Sequence, residues 1–198
     1  MAKYVPRDRF YREAREKGLP SRAAFKLEEL LAKVRLPRHN ARAIDLGCAP
    51  GGWLAVLARA LGPSGLTVGV DLSPCRDFGP TVITMVGDIR DPAVAAALLE
   101  KLGGRADLVT SDLAPHLTGI KDRDAAQIEE LLNAALAIAS ETLKPGAAMI
   151  AKLFMGAAFA GAIERFKVAF REVEVTRVKA TRPGSSELYV VARGYRGR

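Results

Sequence analysis

The 198-residue sequence predicts an α/β domain whose mostly parallel sheet is covered by helices on both faces. From residue 41 onward, short apolar segments alternate with longer segments whose apolar residues recur at helical spacing. The last two apolar segments are joined by a connection too short for a crossover, so they are expected to pair antiparallel as a hairpin. Apolar residues make up 49% of the chain and charged residues 26%, which suits one globular domain.

Seven strands and six helices are predicted. Ser21 is expected to cap the second helix and Pro37 to close it. Pro92 occupies the first turn of the fourth helix, and the Lys-Pro-Gly run at 144–146 stops the fifth. The strands are predicted at residues 41–46, 66–70, 81–86, 106–110, 147–153, 173–179 and 187–192. The helices are predicted at residues 7–17, 21–37, 52–61, 92–102, 124–143 and 157–170.

The two ends of the chain carry its basic charge. The net charge is +8; residues 1–42 hold twelve Lys or Arg against five Asp or Glu, residues 165–198 hold nine against three, and residues 43–164 hold nine against fourteen. A basic face is typical of proteins with a polyanionic partner, although a surface that only keeps the protein soluble would look the same. Residues 1–38 are interpreted as a basic helical extension of the single domain, and residues 39–198 as its main body.

Several classes of protein are excluded by composition. No apolar run approaches the length of a membrane span, and the first residues lack the apolar core of a signal peptide. Cys48 and Cys75 form no C-x-x-C pair and no cluster with His, so neither a disulfide framework nor a zinc site is expected. We therefore expect a cytoplasmic monomer with no metal and no membrane partner.

A glycine-rich turn follows the first predicted strand, in the sequence Asp-Leu-Gly-Cys-Ala-Pro-Gly-Gly-Trp at 45–53. Ligands of open α/β sheets bind beyond the carboxyl ends of the strands, and Gly47 and Gly51 allow the backbone to turn sharply there. The run differs from the dinucleotide pattern G-x-G-x-x-G, because Ala49 and Pro50 stand in its interior. A cofactor without a pyrophosphate is therefore favoured over NAD.

Acidic residues at the ends of successive strands support the same interpretation. Asp45 ends the first strand, Asp71 follows the second, and Asp88 follows the third. Carboxylates at these places suit the cationic tail, the ribose hydroxyls and the adenine amino group of S-adenosylmethionine, although each alone is most often a turn or cap residue. Trp53 is interpreted as a wall of the cofactor pocket, and core packing at the helix start is the alternative.

Four further residues are candidates for chemistry: Lys26, Asp112, Lys152 and Glu187. Lys152 is the most informative, because it stands within an apolar strand where a buried ammonium is expensive unless it is paired. An isolated lysine of this kind would more often reach solvent with its amine. The predicted fold places it beside Asp112 at the reacting end of the cofactor, which favours catalysis.

The chain resembles the FtsJ/RrmJ family of RNA ribose 2′-O-methyltransferases. The likeness extends from about residue 17 to residue 193 and is carried by the motifs at 21–27, 45–53, 111–115 and 152–154, which occur together, in order, at family-like spacing. It implies a Rossmann-like class I methyltransferase fold, with S-adenosylmethionine as cofactor and residues 39–198 as the methyltransferase domain.

The resemblance also implies residue roles. Lys26, Asp112, Lys152 and Glu187 look like the Lys-Asp-Lys-Glu tetrad of these enzymes. The expected cofactor contacts are Gly47, Gly51, Trp53, Asp71, Asp88 and Asp112. The family pattern has Asn where this chain has His116, which leaves the substrate side of that loop open.

A mechanism follows as a hypothesis. Lys152 is expected to act as the base or to orient the acceptor hydroxyl, and Lys26 supplies positive charge nearby. Asp112 steers Lys152, and Glu187 orients a lysine or binds the ribose. Phosphate contacts are expected from the basic ends, at Arg7, Arg9, Arg12, Arg15, Lys17, Arg22, Lys179 and Arg182.

The resemblance implies that the substrate is a uridine ribose in the large ribosomal RNA, 23S, within the large ribosomal subunit. Transfer RNA is the alternative within the class. A non-catalytic RNA-binding protein and a small-molecule methyltransferase are the alternatives from other classes.

Overall fold

The computed structural model describes residues 23–115, 118–156, 158–181 and 185–197. The strands are β1 Arg42–Leu46, β2 Leu66–Asp71, β3 Val82–Val86, β4 Ala106–Ser111, β5 Leu143–Phe154, β6 Phe170–Thr176 and β7 Glu187–Tyr195. The helices are α1 Ala23–Leu31, α2 Gly52–Leu61, α3 Ala93–Leu102, α4 Lys121–Thr142 and α5 Phe159–Ala169. The predicted helix at residues 7–17 lies outside the described residues.

The seven strands form one sheet in the order β3-β2-β1-β4-β5-β7-β6. β1 to β5 pair in parallel, whereas β7 pairs antiparallel with both β5 and β6. This confirms the predicted seven-stranded, mostly parallel sheet with an antiparallel C-terminal hairpin. The strand order turns back at β1, so the carboxyl ends of β1, β2 and β4 border the crevice where ligands of such sheets bind.

Helices cover both faces of the sheet. α3, α4 and α5 bury Leu98, Leu132 and Phe166 on one face. α1 and α2 lie on the other face, where Leu27 and Leu57 belong to a second apolar cluster. α1 thus comes from the segment interpreted as a basic extension, yet its apolar side is part of the core.

Two helix boundaries differ from the prediction. α1 ends at Leu31, and the bonds from Lys33 N to Leu30 O and from Val34 N to Leu31 O form a tighter turn well before the proline at 37. α4 begins three residues before the predicted start, at Lys121. Asp124 lies inside its first turn, and its carboxylate accepts hydrogen bonds from the backbone of the preceding loop.

The strands β5 and β6 also depart from expectation. β5 begins at Leu143, because the Lys-Pro-Gly run at 144–146 lies in an irregularity of its pairing with β4 and not in a separate loop. Gly146 adopts φ 84° there. β6 begins at Phe170 and ends at Thr176, three residues earlier at each end than predicted, because it starts directly after α5.

Among the described residues, no helix is long and apolar enough to cross a membrane. Cys48 and Cys75 are free thiols whose sulfur atoms lie 3.6 Å apart, with Cys75 in the segment that follows β2.

Candidate active site

A cavity of about 440 Å³ lies at the carboxyl ends of β1, β2, β3 and β4. This volume falls within the roughly 300–1,000 Å³ typical of small-molecule sites. Its walls include Gly47 of the glycine-rich turn, Asp71 after β2, Asp88 after β3 and Asp112 after β4. All four are among the residues that the sequence analysis names as expected cofactor contacts.

Glycine is required at two positions of the turn. Gly47 adopts φ 77°, and a Cβ there would lie 2.7 Å from Cδ2 of Leu113, a residue that also lines the cavity. Gly51 adopts φ 103° as the N-cap of α2, and a Cβ there would collide with the ring of Phe78. Gly51 thus serves the packing of the loop behind the turn, and it does not line the cavity.

Asp71 is hydrogen-bonded to the glycine-rich turn that follows β1. Its carboxylate accepts hydrogen bonds from the backbone N of Ala49 at 3.0 Å and from the backbone N of Ser73 at 2.9 Å. Each carboxylate oxygen can accept more than one hydrogen bond, so capacity remains for the hydroxyls of a ribose. The turn and the end of β2 are held together at the point where a ribose is expected.

Asp88 is held by Arg90. The Arg90 guanidinium donates to both carboxylate oxygens, its Nε lying 2.9 Å and 3.1 Å from them, and the backbone N of Arg90 donates at 3.0 Å. The side-chain hydrogen bond with Arg90 holds the pKa of Asp88 at about 2. Asp88 is therefore an ionised acceptor whose oxygens are already occupied.

Acidic lining residues suit the predicted cofactor. Asp71, Asp88, Asp112 and Glu130 face the cavity with one cation, Arg90, which pairs with two of them. Such an environment repels a pyrophosphate and attracts hydroxyl, amino and sulfonium groups. The chemistry of the lining therefore fits S-adenosylmethionine better than a dinucleotide.

Asp45 does not face this cavity, contrary to its expected place beside the cationic tail. It is 1% exposed; its Oδ1 accepts a hydrogen bond of 2.7 Å from Thr110 Oγ1, and its Oδ2 is buried without a partner among the described residues. Burial, reinforced by the charges of Asp112 and Asp71 and opposed by the Thr110 bond, raises the pKa of Asp45 to about 8. Asp112, which follows the neighbouring strand β4, lines the cavity, whereas Asp45 does not.

The four candidate catalytic residues come together as two ion pairs. Lys26 of α1 pairs with Glu187 at the start of β7. Lys152 of β5 pairs with Asp112, its Nζ lying 3.2 Å from Oδ1 and donating to the backbone O of the same residue at 2.7 Å. Both lysine side chains are 8% exposed. Residues from α1, β5, β7 and the segment after β4 thus meet beside Asp112, which lines the cavity.

Tyr189 links the two pairs, and the sequence analysis did not single it out. Its hydroxyl lies 3.1 Å from Asp112 Oδ1 and 2.9 Å from Glu187 Oε1, and it accepts a hydrogen bond of 3.1 Å from Lys26 Nζ. Burial, together with both carboxylates, raises the pKa of Tyr189, so its hydroxyl stays protonated. The sequence feature that could have identified Tyr189 is its position two residues after Glu187, which puts both side chains on the same face of the strand.

The charge on Glu187 is maintained by its partners. Burial alone would raise the pKa of Glu187, but the hydrogen bond and charge of Lys26, with smaller contributions from Tyr189 and Lys152, outweigh it and lower the pKa. Glu187 is thus an ionised carboxylate that holds Lys26 in place.

The expectation that Trp53 forms a pocket wall is corrected by its packing. Trp53 is 3% exposed, its Nε1 donates to the backbone O of Ala23 at 2.9 Å, and its ring lies 6.1 Å from that of Tyr189. It does not line the cavity. Trp53 thus connects α2 to α1, because its indole N–H donates a hydrogen bond to the first residue of α1.

The expected RNA contacts are largely outside the described residues. Lys179 is exposed, and its backbone N donates to Glu29 Oε2 at 3.1 Å. The other positions expected to contact phosphate, and His116, lie outside the described residues: Arg7, Arg9, Arg12, Arg15, Lys17, Arg22 and Arg182.

A doubly wound sheet with an acidic cavity at its strand ends and a lysine–carboxylate cluster beside it defines a methyltransferase of the Rossmann-like class. The model of the FtsJ-like methyltransferase family matches residues 19–195. The chain belongs to this family of methyltransferases.

Individual relatives agree with the family assignment. A ribosomal RNA large subunit methyltransferase E from Anaeromyxobacter dehalogenans (strain 2CP-C) is 44% identical over 200 residues, covering 100% of this chain and 75% of that protein. The protein of the same name from Anaeromyxobacter sp. (strain Fw109-5) is 43% identical, covering 99% of this chain and 72% of its own length. The crystal structure of a ribosomal RNA methyltransferase from Plasmodium falciparum matches with a TM-score of 0.77 at 27% identity, covering 90% of this chain and 99% of that one.

Proposed function

We propose that this methyltransferase transfers the methyl group of S-adenosylmethionine to the ribose 2′-hydroxyl of a uridine in 23S ribosomal RNA of the large ribosomal subunit. The observation that carries the proposal is the contact between Lys152 and Asp112, because Asp112 also lines the cofactor cavity. The proposal therefore puts the Lys152 amine where the cofactor and the acceptor hydroxyl would meet. The names of the relatives support ribosomal RNA as the acceptor.

The cofactor is assigned to the cavity at the strand ends. Asp71 would hold the ribose hydroxyls, Asp88 would face the adenine side, and Asp112 would face the methionine end beside Gly47. When bound there, S-adenosylmethionine supplies the electrophilic methyl group.

The reacting residues act on the acceptor hydroxyl. Lys152 holds this hydroxyl in line with the cavity, and Asp112 fixes the direction of the Lys152 amine through the 3.2 Å contact. To act as the base, Lys152 first releases its ammonium proton to solvent, and the neutral amine then receives the hydroxyl proton as the methyl group is transferred. Lys26 adds positive charge that stabilises the oxygen as it loses its proton, and Glu187 holds Lys26 at that position. Tyr189 keeps both carboxylates at a fixed separation.

The basic ends of the chain are assigned to phosphate contacts. The segment 1–38 would then be an RNA-binding extension of the domain, with α1 anchoring it to the core. Lysine and arginine contacts to phosphate position an RNA without reading its sequence.

The decisive experiment uses large ribosomal subunits from cells that lack the protein. Purified protein and S-adenosylmethionine carrying a labelled methyl group are incubated with these subunits, with the free ribosomal RNA, and with transfer RNA. The expected result is label in one uridine of 23S RNA, recovered as an alkali-resistant dinucleotide because a 2′-O-methyl group blocks cleavage there.

Other outcomes select the alternatives. Label in transfer RNA alone would move the substrate to that class of RNA. Label in a base, which leaves the chain sensitive to alkali, would contradict the ribose assignment. RNA binding without any transfer would favour a binding protein, and cofactor binding without RNA affinity would favour a small-molecule enzyme.

A further inference from the structure

Cys48 and Cys75 are the two cysteines of the chain, and the structure brings them together across 27 positions. Their sulfur atoms lie 3.6 Å apart, close enough for either thiol to donate a hydrogen bond to the other. No motif in the sequence pairs them, because the contact depends on how the segment after β2 packs against the glycine-rich turn. The protein thus holds two free thiols in contact, and the proposed mechanism uses neither of them.

Cys48 is held firmly in the glycine-rich turn. It is buried, its backbone N donates to Val70 O at 3.2 Å, and its backbone O accepts from Gly51 N at 2.7 Å. Its Sγ occupies space that a side chain at Gly69 of β2 would need, because a Cβ there would lie 2.9 Å from the sulfur. Cys48 therefore has little room to move.

Cys75 stands on a segment with fewer restraints. Residues 72–80 form neither helix nor strand, and Cys75 is partly exposed between the exposed residues Pro74 and Arg76. Cys75 is therefore the thiol that a reagent in solvent reaches first. Its segment is also the part that can shift when the two sulfur atoms approach each other.

The turn and the segment both border the cavity at the strand ends. Ala49, the residue after Cys48, is one of its lining residues. Ser73, two residues before Cys75, is another. The Asp71 carboxylate accepts a hydrogen bond from the backbone N of each of these lining residues. A change in the spacing of the turn and the segment therefore changes the cavity beside Asp71.

We propose that Cys48 and Cys75 form a reversible disulfide when the protein meets a hydroperoxide, and that this disulfide weakens binding of the cofactor. A disulfide holds its sulfur atoms about 2.05 Å apart, so the present 3.6 Å must shorten by roughly 1.5 Å. The closure draws the segment that carries Cys75 toward the turn and narrows the cavity beside Asp71. Formation of the disulfide stands apart from the proposed function, whereas its effect rests on the proposed cofactor.

The reaction balances with one molecule of hydroperoxide. The Cys75 thiolate attacks a peroxide oxygen, an S–O bond forms, the O–O bond breaks, and the leaving oxygen takes up the thiol proton. The Cys48 sulfur then attacks the Cys75 sulfur, the S–S bond forms, and the S–O bond breaks to release water that carries the Cys48 proton. Two thiols thereby lose two electrons, and hydrogen peroxide becomes two molecules of water. A small dithiol reverses the reaction by exchange.

Burial keeps the pair reduced in the absence of an oxidant. It raises the pKa of both the Cys48 and the Cys75 thiol, so the thiolate is scarce. Because thiol oxidation proceeds through the thiolate, the pair waits for a reagent that consumes it.

The test treats the purified protein with hydrogen peroxide, removes the excess with catalase, and follows the thiols and the cofactor site separately. Mass spectrometry is expected to show the loss of two hydrogen atoms and a cross-linked pair of peptides containing Cys48 and Cys75. Titration calorimetry is expected to show binding of S-adenosylhomocysteine weakened by about ten- to a hundred-fold, as for loss of a hydrogen bond to a charged group. Dithiothreitol should restore both the mass and the affinity.

Cys75→Ser is the matched control, because it removes one sulfur at a partly exposed position and keeps every methionine that peroxide could oxidise. Its affinity for S-adenosylhomocysteine should be the same before and after peroxide. Cys48→Ala removes the other sulfur and should be equally insensitive. Thermal unfolding verifies that each variant is folded before titration.

The contradicting results separate the disulfide from its effect and from the proposed function. Oxidation of Cys75 to an acid without a cross-link contradicts the disulfide. A cross-link that leaves the affinity unchanged, or an equal loss of affinity in Cys75→Ser, contradicts the effect on the cofactor site. Absence of binding of S-adenosylhomocysteine to the reduced protein contradicts the proposed cofactor, while mass spectrometry still decides whether the disulfide forms.

Discussion

Tyr189 is a residue whose single hydroxyl contacts both ion pairs of the proposed catalytic cluster, Lys26 with Glu187 and Lys152 with Asp112. Its one proton can be donated to Asp112 or to Glu187, its oxygen accepts from Lys26, and its ring is fully buried beside Trp53. The chain therefore places a protonated, immobile group between two carboxylates that would otherwise repel each other.

Tyr189→Phe is expected to keep this packing and remove only the hydroxyl. Each carboxylate retains its lysine, so the loss of unfolding free energy should be modest, about 1–3 kcal/mol. Methyl transfer should fall because the lysines are less firmly directed, while S-adenosylhomocysteine binds as before. Urea unfolding and single-turnover transfer measure the two effects; transfer at the original rate would show that Tyr189 has a purely structural role.

Asp45 predicts a pH dependence of stability. Its pKa in the folded protein is about 8, against an ordinary value of 3.8, so the folded state keeps a proton that the unfolded chain releases. Its contribution to stability is present below about pH 4 and is lost as the pH rises from 4 to 8.

Asp45→Asn should remove this dependence. Between pH 5 and pH 9 the unaltered protein is expected to lose more unfolding free energy than the variant, by at most about 4 kcal/mol. Urea unfolding of both proteins at the two pH values gives the comparison. An equal decrease in the unfolding free energy of the two proteins would mean that Asp45 does not titrate in this range.

At the scale of elements, α1 both packs into the core and carries Lys26, one of the candidate catalytic residues. Leu27 is fully buried, and the neighbouring Lys26 is thereby brought to Glu187. None of the residues that line the cofactor cavity belongs to α1.

Leu27→Ala is accordingly expected to disturb the placement of Lys26 without affecting cofactor binding. It should lower the unfolding free energy by about 2–5 kcal/mol and speed hydrogen exchange in α1, while cofactor binding persists. Leu31→Ala, at a half-buried position of the same helix, should have the smaller effect. Equal losses of cofactor affinity and of α1 protection would contradict this separation.

Most strands and helices could be predicted because their apolar residues recur at the spacing typical of each type, and because proline or glycine marks many of their ends. The irregular start of β5 could not, because it depends on pairing with β4 and not on the Lys-Pro-Gly run itself. The roles of Trp53 and Asp45 were misplaced for a similar reason. Sequence locates a residue at the end of a strand but does not say whether its side chain faces the cavity or the core.

At the scale of the whole molecule, charge is divided between the ends and the centre. Asp71, Asp88, Asp112 and Glu130 of the centre line the cavity, and the chain ends carry the basic excess. Under the proposed function, this division would let one domain hold a cationic cofactor and approach a polyanion.

Lys179→Ala tests the basic face at a described position. Its backbone contact to Glu29 survives the change, so only the exposed charge is lost. Affinity for ribosomal RNA should fall and its dependence on salt should weaken by about one phosphate contact. Lys101→Ala, at the exposed end of α3 opposite the cavity, is the matched control; equal effects in both variants would indicate a diffuse charge effect instead.

The most direct test of the whole account is single-turnover methyl transfer by Lys152→Ala to large ribosomal subunits from cells lacking the protein. With binding of S-adenosylhomocysteine unchanged by calorimetry, the account predicts that transfer falls by about 10²–10⁴-fold, as for loss of a proton-transferring group. Transfer within a few-fold of the unaltered protein would contradict the role of Lys152, and with it the mechanism proposed for the cluster.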